Sequence, residues 1–345
     1  MSKGEAHMKK IYLFMLFCCT TFLFTSCAFI QESKTAKQIV TTLYPEYDMV
    51  KRIIGNQPET KGLFDVMMII PAGQDSHTYD PSIRHLITIK NADIFIYTAD
   101  EMETWVGDVD FNKKTKVVNL SQDERIVLYQ AEDADHDHED ENQTNHEHTH
   151  VHAYDPHYWT YPIYAIYMVE QIKQVMLESI QDPYGTIGAV LEANAKAYID
   201  ALFQIDQDIQ EVVQQSVSHT MYFGCPFSFY YWSIFYGLDY ELTYSTCSTE
   251  TEPSIATLEH MITEMKEHDV PVIFAKELIN QQACEMIQFH TGAEILILHS
   301  GHNVSALDFQ NEDLSYIQIL KENVNHLAKM LRVNQKEGIE HDTTM

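Results

Sequence analysis

Histidine interleaved with carboxylates carries the most chemistry in this sequence, because neutral imidazole and ionised Asp or Glu are both metal ligands. Residues 135–162 read DHDHEDENQTNHEHTHVHAYDPHYWTYP. The first part sets His136, His138, His146, His148, His150 and His152 among acidic side chains, with no apolar periodicity. Such a tract cannot bury a core, so it reads as a polar loop that attracts metal ions. The last part, Asp155-Pro156-His157, has the form of a helix start: an Asp cap, a Pro that needs no donor, then an apolar run. That reading places His157 in a first helical turn, where the positive helix end favours neutral imidazole.

The elements that must position these groups alternate in type. Strands are expected over 38–42, 65–70, 93–98 and 116–120, with helices over 47–54 and 81–91 between them. A helix over 156–179 and a thirty-residue helix over 186–215 follow, each with apolar residues three and four apart. The alternation then resumes: strand 220–223, helices 227–236 and 254–268, strand 270–275, helix 280–291, strand 294–298, helix 314–331. Short buried strands alternating with helices predict an α/β fold, with two lobes that each hold a parallel β-sheet flanked by helices. The long helix of about 45 Å spans a domain and joins the lobes as a stiff hinge.

In open parallel sheets, ligands bind beyond the C-terminal ends of strands. Applied here, that rule selects the loop around His77 after the second strand, Lys276-Glu277 after strand 270–275, and His299-Ser300-Gly301-His302-Asn303 after strand 294–298. These loops come from both lobes, so one cleft could hold a cation from each side. The string His146-Glu147-His148-Thr149-His150 matches the zinc-protease signature HExxH literally, but it lies in a tract without helix formers, and the motif works only on a helix. An enzyme would need an open metal position and a base, for which Glu250 and Glu277 are the candidates.

Composition narrows the partners. The 345 residues are 45% hydrophobic, enough for two cores, and 22 basic against 51 acidic side chains give a formal charge of −29. That charge repels nucleic acid and draws cations, so nucleic-acid binding is set aside. At the N-terminus, Met8-Lys9-Lys10 precedes an apolar run over 11–24 and then Thr25-Ser26-Cys27. This is a secretory signal, too short to span a membrane, ending in a lipobox-like Cys27 that would be lipidated. Outside the cytoplasm, two of Cys225, Cys247 and Cys284 could pair as a disulfide.

Several phrases together resemble a known family, the cluster A-I solute-binding lipoproteins of bacterial ABC importers for zinc and manganese. They are GQDSHTYDPS at 73–82, NADIFIYTADEMETW at 91–105, the acidic His-rich loop, YDPHYWTYP at 154–162 and FYGL at 235–238. The resemblance runs from residue 38 to 331. It implies a periplasmic-binding-protein-like fold with metal held in the cleft by His77 and His157. The family's third ligand falls in register with Pro226, which cannot ligate, and its fourth with His299. The expected set is therefore His77, His157 and His299 with one of Cys225, Glu250 or His302. Three imidazoles suit tetrahedral Zn2+; Mn2+, which prefers oxygen ligands, is the alternative.

The resulting organisation is a signal peptide over 1–26, a lipidated tether over 27–37, an N-terminal lobe over 38–184 that includes the His-rich acidic loop 132–152, a linking helix over 185–216, a C-terminal lobe over 217–333 and a polar tail over 334–345. The expected function is a monomeric extracytoplasmic lipoprotein, lipid-anchored to the bacterial cell membrane. It is not an enzyme: it captures zinc and delivers it to an ABC permease in the membrane. A surface metal store or adhesin is the alternative.

Overall fold

The computed structural model describes residues 36–130, 154–182, 184–244 and 253–333. The His-rich loop, Cys27, Cys247, Glu250 and the polar tail lie outside the described residues. The first lobe holds four parallel strands: β1 (Lys37–Thr41), β2 (Phe64–Met68), β3 (Ile94–Tyr97) and β4 (Lys116–Asn119), in the order β2-β1-β3-β4. The second holds β5 (Thr220–Phe223), β6 (Asp239–Leu242), β7 (Val272–Ala275) and β8 (Glu294–Ile297), in the order β6-β5-β7-β8, again all parallel. Both sheets start on an inner strand, add one neighbour, and then cross to the other side. Such a reversal opens a crevice at the C-terminal strand ends.

The inner strands β3 and β7 are buried at every residue, as their runs Ile-Phe-Ile-Tyr and Val-Ile-Phe-Ala require. β6 was not expected from sequence. Its residues Asp-Tyr-Glu-Leu form an edge strand of partly buried and exposed positions, so they carry no continuous apolar signal.

The helices are α1 (Tyr44–Ile54), α2 (Ile83–Asn91), α3 (Pro162–Ser179), α4 (Thr186–Gln215), α5 (Tyr230–Tyr236), α6 (Ile255–Glu267), α7 (Gln282–Thr291) and α8 (Tyr316–Met330). Three of them start on a serine whose side chain accepts a backbone N–H of the first turn: Ser82, Ser254 and Ser315. α3 begins six residues later than the Asp155-Pro156 signal implied. Residues Tyr158–Thr160 instead form one 3-10 turn, and Tyr161 is extended (φ −84°, ψ 114°) ahead of Pro162. A residue before proline is pushed out of the helical region, so the chain cannot continue as one helix through this point. α5 likewise starts at Tyr230 and not at Phe227.

α4 is the common wall of the two lobes. Its buried stripe of Leu191, Ala195, Tyr198, Leu202, Ile205 and Ile209 recurs at spacings of three and four. It packs against α1, α3 and α8. Where α1, α4 and α8 meet, buried Asp48 accepts hydrogen bonds from Tyr198 Oη at 2.7 Å, the Tyr316 backbone N–H at 3.1 Å and Arg52 Nε at 3.1 Å. Burial raises the Asp48 carboxyl above its ordinary range despite these donors. Asp48→Ala would strand a buried hydroxyl and a buried amide, and should cost about 2–3 kcal/mol. Urea denaturation would register the loss as a lower midpoint, and an unchanged midpoint would show that this junction does not hold the lobes.

Candidate metal centre

His77 comes from the loop after β2, where the Asp75 carboxylate accepts the His77 N–H at 3.0 Å and shapes a tight turn. His157 precedes the 3-10 turn and is wholly buried. Asp155 Oδ1 receives both the His157 backbone N–H and its ring Nδ1, each at 2.8 Å. A carboxylate on Nδ1 fixes that nitrogen as the donor and leaves Nε2 with a free lone pair. That lone pair faces His77 Nε2 across 3.4 Å.

His302 completes the group. The ligating nitrogens of His77, His157 and His302 all lie within 4.8 Å of one another. Nitrogens 2.0–2.1 Å from a tetrahedral zinc stand about 3.4 Å apart, so the His77–His157 spacing already fits and the third nitrogen needs a shift of no more than about 1.4 Å. His302 is tautomerically fixed as well. Ser300 Oγ bonds to both the Glu277 carboxylate and His302 Nδ1. A carboxylate only accepts, so the hydroxyl donates to Glu277 and accepts from Nδ1–H, leaving Nε2 unprotonated. That Nε2 is buried and has no hydrogen-bond partner. A buried lone pair without a protein partner, converging with two other imidazole nitrogens, is a donor set that a cation would satisfy.

Neighbouring elements hold this geometry. Trp159 Nε1 donates to the Ser300 carbonyl at 2.9 Å, and Tyr316 Oη donates to the Trp159 carbonyl at 2.7 Å. Asn303 Nδ2 donates to the Pro71 and Gln74 carbonyls at 2.8 and 2.9 Å, clamping the loop of His302 to the loop of His77 across the lobes. Beneath His157, Tyr158 Oη reaches the Thr98 carbonyl at 2.8 Å. There the buried carboxylates of Glu46 and Glu103 take the hydroxyls of Thr98 and Thr42 and stitch β1 to β3.

Of the residues expected at the site, the structure brings together His77, His157 and His302. His299 is not among them. Its Nδ1 accepts the Gly301 N–H at 3.0 Å, and its own backbone N–H is held by Asn323 Oδ1 at 2.8 Å. The cause is Gly301, whose φ of +80° is open to glycine and turns the chain back between the two histidines. A Cβ there would lie 2.8 Å from the Tyr316 ring. Counting register along β8 cannot see such a turn, although Ser-Gly between two histidines was the available signal. Cys225 is also absent: its thiol points to the Phe274 carbonyl at 3.5 Å, and burial holds its pKa well above the usual range. Cys225 and Cys284 are both free thiols. The supporting roles of Asp155, Ser300 and Glu277 toward these rings had no signature in the sequence. Glu277 is pushed up by burial but pulled further down by His299, Lys276 and the Ser300 donors, so it stays ionised.

The fold is shared with known proteins. The family described as zinc-uptake complex component A, periplasmic (ZnuA), matches residues 39–330, and the chain belongs to that family. The zinc-binding lipoprotein AdcA of Streptococcus pneumoniae strain R6 is 29% identical over 325 residues, 93% of this chain. The chain spans 61% of that relative's length. The high-affinity zinc uptake system protein ZnuA of Bacillus subtilis strain 168 is 31% identical over 304 residues, 88% of this chain and 90% of the relative. Among solved structures, the Zn(II)-bound ZnuA-like domain of Streptococcus pneumoniae AdcA superposes with a TM-score of 0.65 at 25% identity, covering 86% of this chain and 99% of the domain.

Burial dominates the electrostatics of the centre. It drives the His77 imidazolium down to about 2, helped by His157 and Lys276, and holds His302 well below its ordinary value, helped by Lys276 and His157. In the unfolded chain these rings titrate near 6.5. With folded values depressed, their contribution to stability is whole above about pH 6.5 and is lost as pH falls, because the unfolded chain takes up protons that the folded one refuses. Glu46 and Glu103 act with the opposite sign. Burial raises both, and the charge of Glu103 raises Glu46 further, so their contribution is lost as pH climbs above the carboxylate range. Between the carboxylate range and about pH 6.5 the two effects oppose each other, so the imidazole share is read by difference: from pH 7 to pH 5 the metal-free parent should lose melting temperature relative to a His77→Gln, His302→Gln variant. The same pH dependence in parent and variant by calorimetry would contradict the neutral-imidazole centre.

Proposed function

We propose that the chain is an extracytoplasmic solute-binding lipoprotein that captures Zn2+ between its lobes and hands it to the membrane permease of an ABC importer. One observation carries the reading: three imidazole nitrogens from separate segments of the fold converge, two of them with their Nδ1 protons held by an acidic group or relay. Zinc accepts three nitrogen ligands in tetrahedral geometry, whereas Mn2+ prefers oxygen and is the weaker competitor. The ion is cargo, and the protein's part is to bind and release it, so no catalysis is assigned. The zinc-binding and zinc-uptake names of the relatives support the choice of ion.

On this reading residues 1–26 are a signal peptide and Cys27 carries the lipid, so the protein works as a monomer tethered outside the cell membrane. Among the described residues no helix is long and apolar enough to cross a membrane. The six histidines of the 132–152 segment and the −29 formal charge attract cations to the protein. His77 and the His302 loop belong to different lobes, so closing the cleft around the ion and opening it to the permease changes the coordination itself.

Zinc per chain, counted after dialysis against a weak chelator, tests the assignment. The parent chain should hold one tight zinc, and removing residues 135–152 should leave it in place. His77→Ala, His157→Ala and His302→Ala should abolish it, while His299→Ala should keep it. Ser300→Ala, which frees the His302 ring to change tautomer, should weaken zinc by about 10–100-fold. If the tight zinc vanishes with the loop, the protein is a surface store and not a cleft-binding receptor.

A further inference from the structure

Three imidazoles leave one corner of a zinc tetrahedron open. Beside His302 lies a cavity lined by Gln74, Asp75, Ser76, Pro226, Lys276 and Glu277 among others. Pro226 occupies the position from which a third protein ligand was expected, and it presents no donor atom. Lys276 is only 8% exposed, and its ammonium makes no hydrogen bond within the described residues, its neighbour Glu277 acting on it through charge alone. The Ser76 hydroxyl is likewise buried without a hydrogen bond. A buried hydroxyl without a hydrogen bond and an ammonium without one, on residues that line one cavity beside His302, form a receptor for an acceptor that the chain does not itself supply.

Charge points the same way. A bound Zn2+ and Lys276 bring three positive charges, against one negative charge each from buried Asp155 and Glu277. Among the buried groups alone one positive charge remains, and unbalanced buried charge is disfavoured. Asp75 also lines the cavity and carries a charge, but it is only half-buried and so partly screened by water, and its oxygens are not among the atoms that converge with the three imidazoles. Lys276 is near enough to the centre to depress both His77 and His302, after burial in each case.

We propose that zinc is bound together with a small carboxylate, one oxygen of which occupies the fourth metal position while the other accepts from the Lys276 ammonium. The inference rests on the zinc-receptor reading and gives it a substrate: the ion as a complex with a simple organic acid. A carboxylate suits the site better than a halide, because its two oxygens bridge a metal and an ammonium at once. No electrons move, and the only exchange is of a metal-bound water for the anion.

Cobalt(II) bound to the full-length mature chain reports this position, since its visible absorption changes with the fourth ligand. Acetate titrated into the cobalt protein in a perchlorate buffer should shift the visible bands to saturation, and chloride should do so only at much higher concentration. Lys276→Met should still bind one cobalt but need at least about tenfold more acetate, the loss expected for one charge-assisted hydrogen bond. Bands that ignore acetate in the parent chain while cobalt stays bound overturn the co-ligand, as does equal acetate affinity in Lys276→Met. If Glu250→Gln alone alters the acetate-free spectrum, a protein carboxylate fills the corner and the proposal also falls. Cobalt that fails to bind, or that survives His77→Ala and His302→Ala, would instead refute the three-histidine centre.

Discussion

The constraint on which the structure depends is that an imidazole in this interior must be neutral and must offer a particular nitrogen. Burial holds His77 and His302 below the ordinary imidazole range, and His157 and His302 each face a fixed acceptor at Nδ1. Each therefore carries its single proton on Nδ1 and gives it to a fixed acceptor: Asp155 directly, or Glu277 through the Ser300 hydroxyl. What is left at the centre is a set of lone pairs that repel one another and are relieved by a cation. Selectivity for a positive ion thus follows from burial and tautomer, with no negative charge at the coordinating atoms themselves.

That arrangement holds only if the segments carrying the rings are kept in register. The fold does this with backbone acceptors and large aromatics in place of flexible surface ion pairs. Trp159, Tyr158 and Tyr316 each bury a ring and spend their one polar atom on a carbonyl next to the site or beneath it. Asn303 ties the two ligand loops together, and Asp48 ties α1, α4 and α8 behind them. Stiffness at the back and a polar clamp at the front suit a cleft that opens and closes about one wall. The long helix α4 is that wall, since it packs against helices of both lobes.

Much of this was legible in the chain. The thirty-residue helix was readable because its apolar spacing persists through eight turns, and β5 because a short apolar run follows the polar Ser218-His219 and ends at Gly224. Both lobes of parallel strands followed from the alternation of such runs with helices. The edge strand β6 escaped notice for a physical reason: half of an edge faces water, and its four residues carry no apolar continuity. The helix start at Asp155-Pro156 was misplaced because a second proline, Pro162, competes with the first, and only one can begin the helix.

By itself the sequence determined which chemistry this protein has: a surplus of acidic charge, histidines placed after strands, and a family pattern in which His77 and His157 face a cleft. It also determined that Pro226 cannot be a ligand. Only the tertiary structure decided that His302 and not His299 turns into the centre, because that depends on one left-handed glycine whose effect on direction is invisible in spacing. It alone placed Asp155, Ser300 and Glu277 behind the rings and Lys276 beside them. Such contacts join residues that are remote in the chain, and their energies come from burial, which no linear pattern records.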